Sequence, residues 1–97
     1  MAVAIFMKWD GVTAERYDEV RRLVNWEGDV PPGGMLHMAA FDNDGMRVTD
    51  VWESAEAFQT FVDGRLTPGV QQLGITTQPD VQILPVHALF TPAFKPI

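Results

Sequence analysis

Short apolar runs and two segments with helical periodicity alternate along the chain. Residues 2–9 form an apolar run that ends at an Asp-Gly pair, which predicts a buried strand followed by a turn. Thr13 is a suitable N-cap, and apolar residues from Tyr17 onward recur at helical spacing, so we predict a first helix over residues 13–26. The Pro- and Gly-rich residues 31–34 then require a loop.

A β-hairpin is predicted after this loop. Residues 35–41 and 47–52 are strand-like, and the Asp, Asn and Gly residues at positions 42–45 tolerate the positive φ of a tight turn. If this turn pairs Phe41 with Met46, it also sets the register of the remaining residue pairs along the hairpin.

The rest of the chain predicts a second helical region and a last strand. Ser54 is an N-cap for a second helix, and residues 67–74 predict a further short helical turn. Residues 81–89 form the fourth strand, and Pro85 within it indicates an edge position because proline cannot donate to a ladder. Residues 91–97 are expected to be a C-terminal tail outside the domain.

The order of these elements predicts the fold. Strand, helix, strand, strand, helix, strand is the ferredoxin-like βαββαβ pattern, an α+β fold with both helices on one face of a four-stranded antiparallel sheet. A chain of 97 residues suits one domain, which we assign to residues 1–90.

Both faces of the hairpin are largely apolar. In the register above, His37 faces Asp50, and one face carries Met35, His37, Ala39, Phe41, Met46, Val48, Asp50 and Trp52. We expect the helices to cover the other face, through Leu36, Met38, Ala40 and Val51. The first face would then be an exposed apolar patch, so we predict a homodimer whose two sheets enclose a cavity.

One segment carries a family resemblance. The run Trp52-Glu53-Ser54-Ala55-Glu56-Ala57-Phe58, together with the element order and the length, resembles the dimeric α+β barrel superfamily, which includes antibiotic-biosynthesis-monooxygenase-like domain proteins. The resemblance implies a homodimer and one of several activities, among them cofactor-free monooxygenation, polyketide cyclisation, isomerisation and heme degradation. The heme-degrading members share the tryptophan but carry a histidine on the second helix, which this chain lacks. We therefore expect no cofactor.

His37 and Asp50 are the candidate catalytic residues. A carboxylate on an inward face is costly to bury without a partner, and His37 is the obvious one, so His37 would move a proton and Asp50 would orient it. The alternative is a structural Asp–His bridge that fixes the hairpin register. The candidate substrate-binding residues are Trp52, Met35, Phe41, Val48 and His87. Trp52 would stack on a planar substrate or, alternatively, seal the dimer interface.

Composition narrows the function classes. A net charge of −6 opposes binding to nucleic acid and to anionic membranes. The absence of cysteine excludes thiolate chemistry and is typical of cytoplasmic proteins, and two histidines without a clustered third ligand predict no metal site.

These observations lead to two hypotheses. The first is a small dimeric, cofactor-independent enzyme of monooxygenase, cyclase or isomerase type that acts on a hydrophobic or aromatic small molecule between the sheets. The alternative is a noncatalytic dimeric module that binds a ligand or a partner.

Overall fold

A computed structural model describes residues 1–93 of the chain. It contains four strands, β1 (Val3–Asp10), β2 (Gly34–Phe41), β3 (Gly45–Trp52) and β4 (Asp80–Pro85). Its α-helices are α1 (Ala14–Val24), α2 (Ala55–Phe61) and α3 (Thr67–Gln72). A π-helical turn, Val62–Leu66, joins α2 directly to α3.

The strands form one antiparallel sheet in the order β2-β3-β1-β4. With the helices packed on one face, this is the ferredoxin-like α+β fold predicted from the sequence. The strand β4 lies at the sheet edge, as the proline within it indicated. It is shorter than predicted because it ends at Pro85, after which the chain leaves the sheet.

Local sequence signals explain where the helices begin and end. The Thr13 hydroxyl accepts a hydrogen bond from the backbone N–H of Arg16, and the Ser54 hydroxyl does the same for Ala57. Helix α1 ends at Asn25, whose left-handed backbone (φ 57°) turns the chain toward the loop that follows.

The hydrophobic core lies between the sheet and the helices. Ile5, in the central strand β1, is completely buried. Around it pack the other buried residues of the core cluster, which are Met7, Trp9, Val12, Val20, Val24, Met46, Val48, Trp52, Phe58 and Val70.

The predicted hairpin register is confirmed over most of its length. Phe41 pairs with Met46, and His37 pairs with Asp50. The prediction fails at the far end, where a bulge between Gly34 and Leu36 places Gly34 opposite Trp52. Met35 is therefore not the partner of Trp52, because the bulge inserts one extra residue into β2.

The predicted orientation of the hairpin was wrong. Met46, Val48, Asp50 and Trp52 lie beneath the helices of their own chain, whereas Met38, expected there, is 56% exposed. The pairing of β3 with β1 explains the reversed orientation of the hairpin. Ile5 pairs with Asp50, and adjacent residues of paired strands share a face, so the face that contains Ile5 and Asp50 is the one that the helices cover.

The opposite face of the sheet, which we call the open face, carries alternate residues of all four strands. Its members include Ala4, Phe6, Lys8, Leu36, Met38, Ala40, Arg47, Thr49, Val51, Asp80, Gln82 and Leu84. Of the predicted tail, residues 94–97 lie outside the described residues. Within residues 1–93, no helix is long and apolar enough to cross a membrane.

Candidate active site

A cavity of about 350 Å³ lies between the sheet and the helices of a single chain. Helices of the same chain, rather than the second sheet predicted from the sequence, therefore cover the face that carries His37 and Asp50. The walls are mostly apolar and aromatic, and all three tryptophans of the chain, Trp9, Trp26 and Trp52, contribute to them.

A continuous chain of hydrogen bonds runs along one side of the cavity. The Tyr17 hydroxyl lies 2.7 Å from Nε2 of His37, and Nδ1 of His37 lies 2.7 Å from Oδ1 of Asp50. The indole N–H of Trp52 donates to Oδ2 of Asp50 over 3.0 Å. The predicted contact between His37 and Asp50 is thus present, and it belongs to a chain of four side chains.

Regular secondary structure positions each member of this chain. His37 and Asp50 are directly opposed on β2 and β3, and Trp52 follows Asp50 by two residues on the same face of β3. Tyr17 lies on α1, one turn before the buried Val20, so its ring reaches across the cavity to the sheet.

The donors and acceptors of these four side chains determine which group donates in each hydrogen bond. A carboxylate can only accept, so both oxygens of Asp50 are used, one by Trp52 and one by the Nδ1–H of His37. In neutral His37 the proton on Nδ1 leaves Nε2 as an acceptor, and the Tyr17 hydroxyl donates to it. His37 is therefore held as the tautomer in which Nε2 can take up a proton.

The Tyr17 hydroxyl is held in its neutral form. The pKa of Tyr17 is raised to about 12, chiefly by burial. Arg21 acts in the opposite direction, and the nearby carboxylates of Glu27, Asp50 and Asp18 add to the increase. A free phenolate is thus disfavoured at this position, and Tyr17 is a hydrogen-bond donor at neutral pH.

The loop after α1 contributes two residues to the cavity. The Trp26 ring packs 5.8 Å from the Tyr17 ring and 5.2 Å from the His37 ring, measured between centroids. Glu27 also lines the cavity, with a side chain that is 57% exposed. The guanidinium of Arg21 donates to both oxygens of this carboxylate, and these hydrogen bonds lower the pKa of Glu27.

The structure brings most of the predicted site residues together. Trp52, Met35 and Val48 line the cavity with His37 and Asp50. Phe41 and His87, also predicted to bind substrate, do not line this cavity. Phe41 lies farther along β2, where its ring meets the edge of the Tyr17 ring at 6.0 Å, and His87 is exposed beyond the end of β4.

Sequence reasoning missed Tyr17, Trp26 and Glu27. Tyr17 lies on the apolar stripe that predicts the first helix, and this position alone indicates a core residue. One chemical signal could have identified Tyr17. It is the only tyrosine of the chain, and its hydroxyl needs a hydrogen-bond partner because its ring lies on the core-facing side of the helix. Trp26 and Glu27 lie in irregular structure, where no periodicity predicts their direction.

No grouping of side chains in the described part of the chain is suited to a metal. Within residues 1–93, three or more His, Asp or Glu residues nowhere cluster closely enough to hold one. His37 and Asp50 instead use their polar atoms on each other and on Tyr17 and Trp52.

Several solved structures are similar to the chain over nearly its whole length. A protein of unknown function from Nitrosomonas europaea superposes with a TM-score of 0.69 at 18% identity, covering 96% of each chain. SnoaB, a cofactor-independent oxygenase from Streptomyces nogalater, gives a TM-score of 0.62 at 14% identity, covering 96% of this chain and 97% of SnoaB. A candidate antibiotic biosynthesis monooxygenase from Chloroflexus aurantiacus gives 0.61 at 15%, covering 93% and 98%.

This chain shares their fold. The fold resemblance noted in the sequence to antibiotic-biosynthesis-monooxygenase-like proteins is thereby confirmed. By sequence the chain matches no protein-family model and no curated protein. At identities of 12–18% the structural similarity establishes the fold alone, and function rests on the site itself.

Proposed function

We propose that the protein is a small cofactor-independent enzyme that removes a proton from a hydrophobic or aromatic molecule bound in the cavity. One observation carries this proposal. A hydrogen-bonded chain of Tyr17, His37, Asp50 and Trp52 borders an otherwise apolar cavity large enough for a small molecule.

His37 is the general base in this proposal. Asp50 fixes its tautomer and stabilises the imidazolium that forms when Nε2 takes a proton, as a carboxylate paired with a histidine does in other enzymes. Tyr17 occupies Nε2 in the free protein. A substrate therefore either displaces the Tyr17 hydroxyl or gives its proton to the phenol oxygen while the phenol gives its own to His37. The high pKa of Tyr17 requires the second route to be concerted, without a free phenolate.

Proton removal is the step that the three candidate reactions share. The carbanion can react with dioxygen, as in monooxygenation, where a CH₂ group and O₂ become a carbonyl and water. It can add to a carbonyl of the same molecule, as in cyclisation, or regain the proton at another carbon, as in isomerisation. The description of SnoaB as a cofactor-independent oxygenase supports the first of these fates.

We also propose that the protein is a homodimer formed through the open face. Three exposed apolar residues, Phe6, Met38 and Leu84, are close together there. Phe6 lies two residues from Ala4, the partner of Leu84, and both Phe6 and Met38 pair with Thr49. A second copy would cover this patch, which is otherwise exposed to water. The cavity lies on the other side of the sheet and is complete without the partner.

Hydrogen exchange into a probe molecule tests the shared step directly. Anthrone is a flat tricyclic ketone whose central CH₂ group is acidic, so base-catalysed exchange of these protons with D₂O under nitrogen can be followed by NMR. We expect the protein to accelerate the exchange and the His37→Gln variant to lose about 100-fold or more of that rate. His87→Gln is the matched control, because it changes the other histidine, outside the cavity.

The same samples exposed to air separate the reactions. Oxygen uptake with formation of anthraquinone and water indicates monooxygenation, whereas exchange without oxygen uptake points to cyclisation or isomerisation. If anthrone quenches the tryptophan fluorescence but exchanges no faster than in buffer, the noncatalytic binding module is favoured instead.

A further inference from the structure

The cavity contains carboxylates but no cationic side chain. Its described lining includes Asp50 on the sheet side and Glu27 on the loop side, and neither Lys nor Arg is among the lining residues. Arg21 is nearby, but both oxygens of Glu27 accept hydrogen bonds from it, so its charge is already paired. A ligand with a carboxylate or phosphate group would find no free cation in the cavity.

We propose that the cavity selects neutral aromatic ligands and rejects anionic ones, and that Glu27 enforces the selection by holding Arg21 in an ion pair. This inference rests on the site proposed above, and it names the substrate class of that site. Recognition would come from aromatic and apolar walls, with a single hydrogen-bonding group of the ligand directed to Tyr17 and His37.

Asp50 makes the sheet side of the cavity unfavourable for a second negative charge. Its side chain is 9% exposed, and both oxygens already accept hydrogen bonds, from His37 and Trp52. A buried anion needs a cation or several donors to offset the loss of hydration. These donors are engaged by Asp50, so none remains from this pair for a ligand anion.

The environment of Tyr17 points in the same direction. Burial, the main cause of the raised pKa of this phenol, also penalises any negative charge that a ligand brings to the same place. The carboxylates of Glu27 and Asp50 add to this penalty, and Arg21 acts against it. A ligand anion beside the Tyr17 oxygen would therefore meet the same penalty as the phenolate.

The walls favour a flat aromatic ligand. The Trp52 ring lies 5.7 Å from Phe58 and 5.3 Å from Phe61 between centroids, and Trp26 covers Tyr17 and His37 from the loop. Aromatic rings stack on one another with more than the energy of simple burial. All three tryptophans border the cavity, so ligand binding can be measured by their fluorescence.

Selection for a neutral ligand also fits proton abstraction. When the ligand gives its proton to His37, the negative charge that appears is balanced by the imidazolium formed beside it. A ligand that is already ionised when it binds brings a negative charge but no proton for His37, so no imidazolium forms to balance that charge. The substrate should therefore carry a weakly acidic C–H or O–H group that is still protonated at neutral pH.

Two probes with the same double ring test the inference without any turnover. Naphthol is neutral at pH 7 and naphthoate is an anion of similar size. By tryptophan quenching we expect naphthol to bind and naphthoate to bind at least about tenfold more weakly. Para-nitrophenol, which ionises near neutral pH, should lose affinity as pH rises through its own pKa.

The Glu27→Gln variant tests the assigned residue. It removes the carboxylate and frees Arg21, so the ratio of the two affinities should fall toward one. Glu19→Gln is the matched control, since Glu19 also forms an exposed ion pair with an arginine on α1 but does not line the cavity. The control should leave the ratio unchanged.

Each of the other possible results contradicts one part of the proposal. Equal binding of naphthol and naphthoate overturns the charge selection while leaving proton abstraction by His37 intact. An unchanged ratio in Glu27→Gln overturns the assignment to Glu27. If neither probe quenches the fluorescence, the cavity is not an aromatic binding site, and the proposed function fails with it.

Discussion

His37 and Met38 are neighbours on β2 and lie on opposite faces of the same sheet. Below the helices, His37 meets a buried carboxylate, a tyrosine hydroxyl and aromatic rings. On the open face, Met38 is 56% exposed and faces Thr49 on the next strand. The open face is the more polar of the two, because Lys8, Arg47 and Asp80 lie among its apolar residues. The two faces also differ in how their polar groups are used, since those of the covered face are paired with each other inside the cavity.

The largest expected effect concerns neighbouring residues on β3. Asp50→Asn keeps the shape of the side chain, so the protein should stay folded. Trp52 and His37 donate to different oxygens of Asp50, and an amide replaces one of these oxygens by a donating NH2 group, so one of the two hydrogen bonds and the preferred tautomer of His37 are lost. We expect the anthrone exchange rate to fall about 100- to 10,000-fold.

Thr49→Val is the control on the open face, because Thr49 precedes Asp50 and points the other way. It should leave the exchange rate within about twofold of the unaltered protein, since surface substitutions have small effects. A comparable loss of rate in both variants would mean that the two faces are not functionally distinct.

The second prediction concerns stability. Trp52 is 4% exposed and packs against Phe58 and Phe61, so Trp52→Ala should lower the free energy of unfolding by about 3–5 kcal/mol. Phe90→Ala, at a residue that is 85% exposed, should cost less than about 0.5 kcal/mol. Urea titration followed by circular dichroism measures both, and a small loss in the first variant would contradict the packing described for the covered face.

The third prediction concerns association. If the open face forms the dimer, light scattering should give twice 10.8 kDa for the protein, and Phe6→Glu should reduce the mass to that of one chain. Ile83→Glu is a matched control, because Ile83 is equally exposed, at 42%, but faces the helix side of the sheet. A monomer before any substitution, or dissociation in the control alone, would remove the open face as the interface.

The smallest effect is the ionisation of Tyr17. Because the chain has a single tyrosine, phenolate absorbance reports this residue alone. We expect a midpoint at about pH 12 in the folded protein, against about 10 in urea.

This titration also has a consequence for stability, with a defined sign. The folded state holds the proton more tightly than the unfolded state, so the contribution of Tyr17 is complete below pH 10 and is lost as pH rises through 12. A midpoint near 10 in the folded protein would show that the hydroxyl is not enclosed as described.

The sequence was sufficient for the element order and the hairpin register because both depend on local signals. The turn at residues 42–45 fixes which residues of β2 and β3 face each other, and so it predicted the pair His37 and Asp50. The face covered by the helices depends instead on β1, which is distant in sequence and pairs with β3 through no turn of its own. Because the register between β1 and β3 is not evident from the sequence, either face of the hairpin could be the one that the helices cover.

The same limit explains the residues that were missed. Tyr17 reaches His37 through the packing of α1 on the sheet, and the direction of Trp26 depends on the left-handed residue Asn25. The bulge at Met35 lies at the end of the hairpin away from the turn, so the turn that sets the rest of the register does not predict it. These are tertiary features, and periodicity along one element does not contain them.

The π-helical turn between α2 and α3 has a consequence for how the site can change in evolution. A π turn arises when one residue is inserted into an α-helix, and the flanking helical segments remain in place. Phe61, just before the turn Val62–Leu66, and Leu66 at its end both border the cavity, while a Cβ atom at Gly64 would meet nothing within 4 Å. Single-residue insertions and deletions here would alter the cavity wall and leave the sheet intact, so relatives of different length at this turn would differ in the size of molecule they hold.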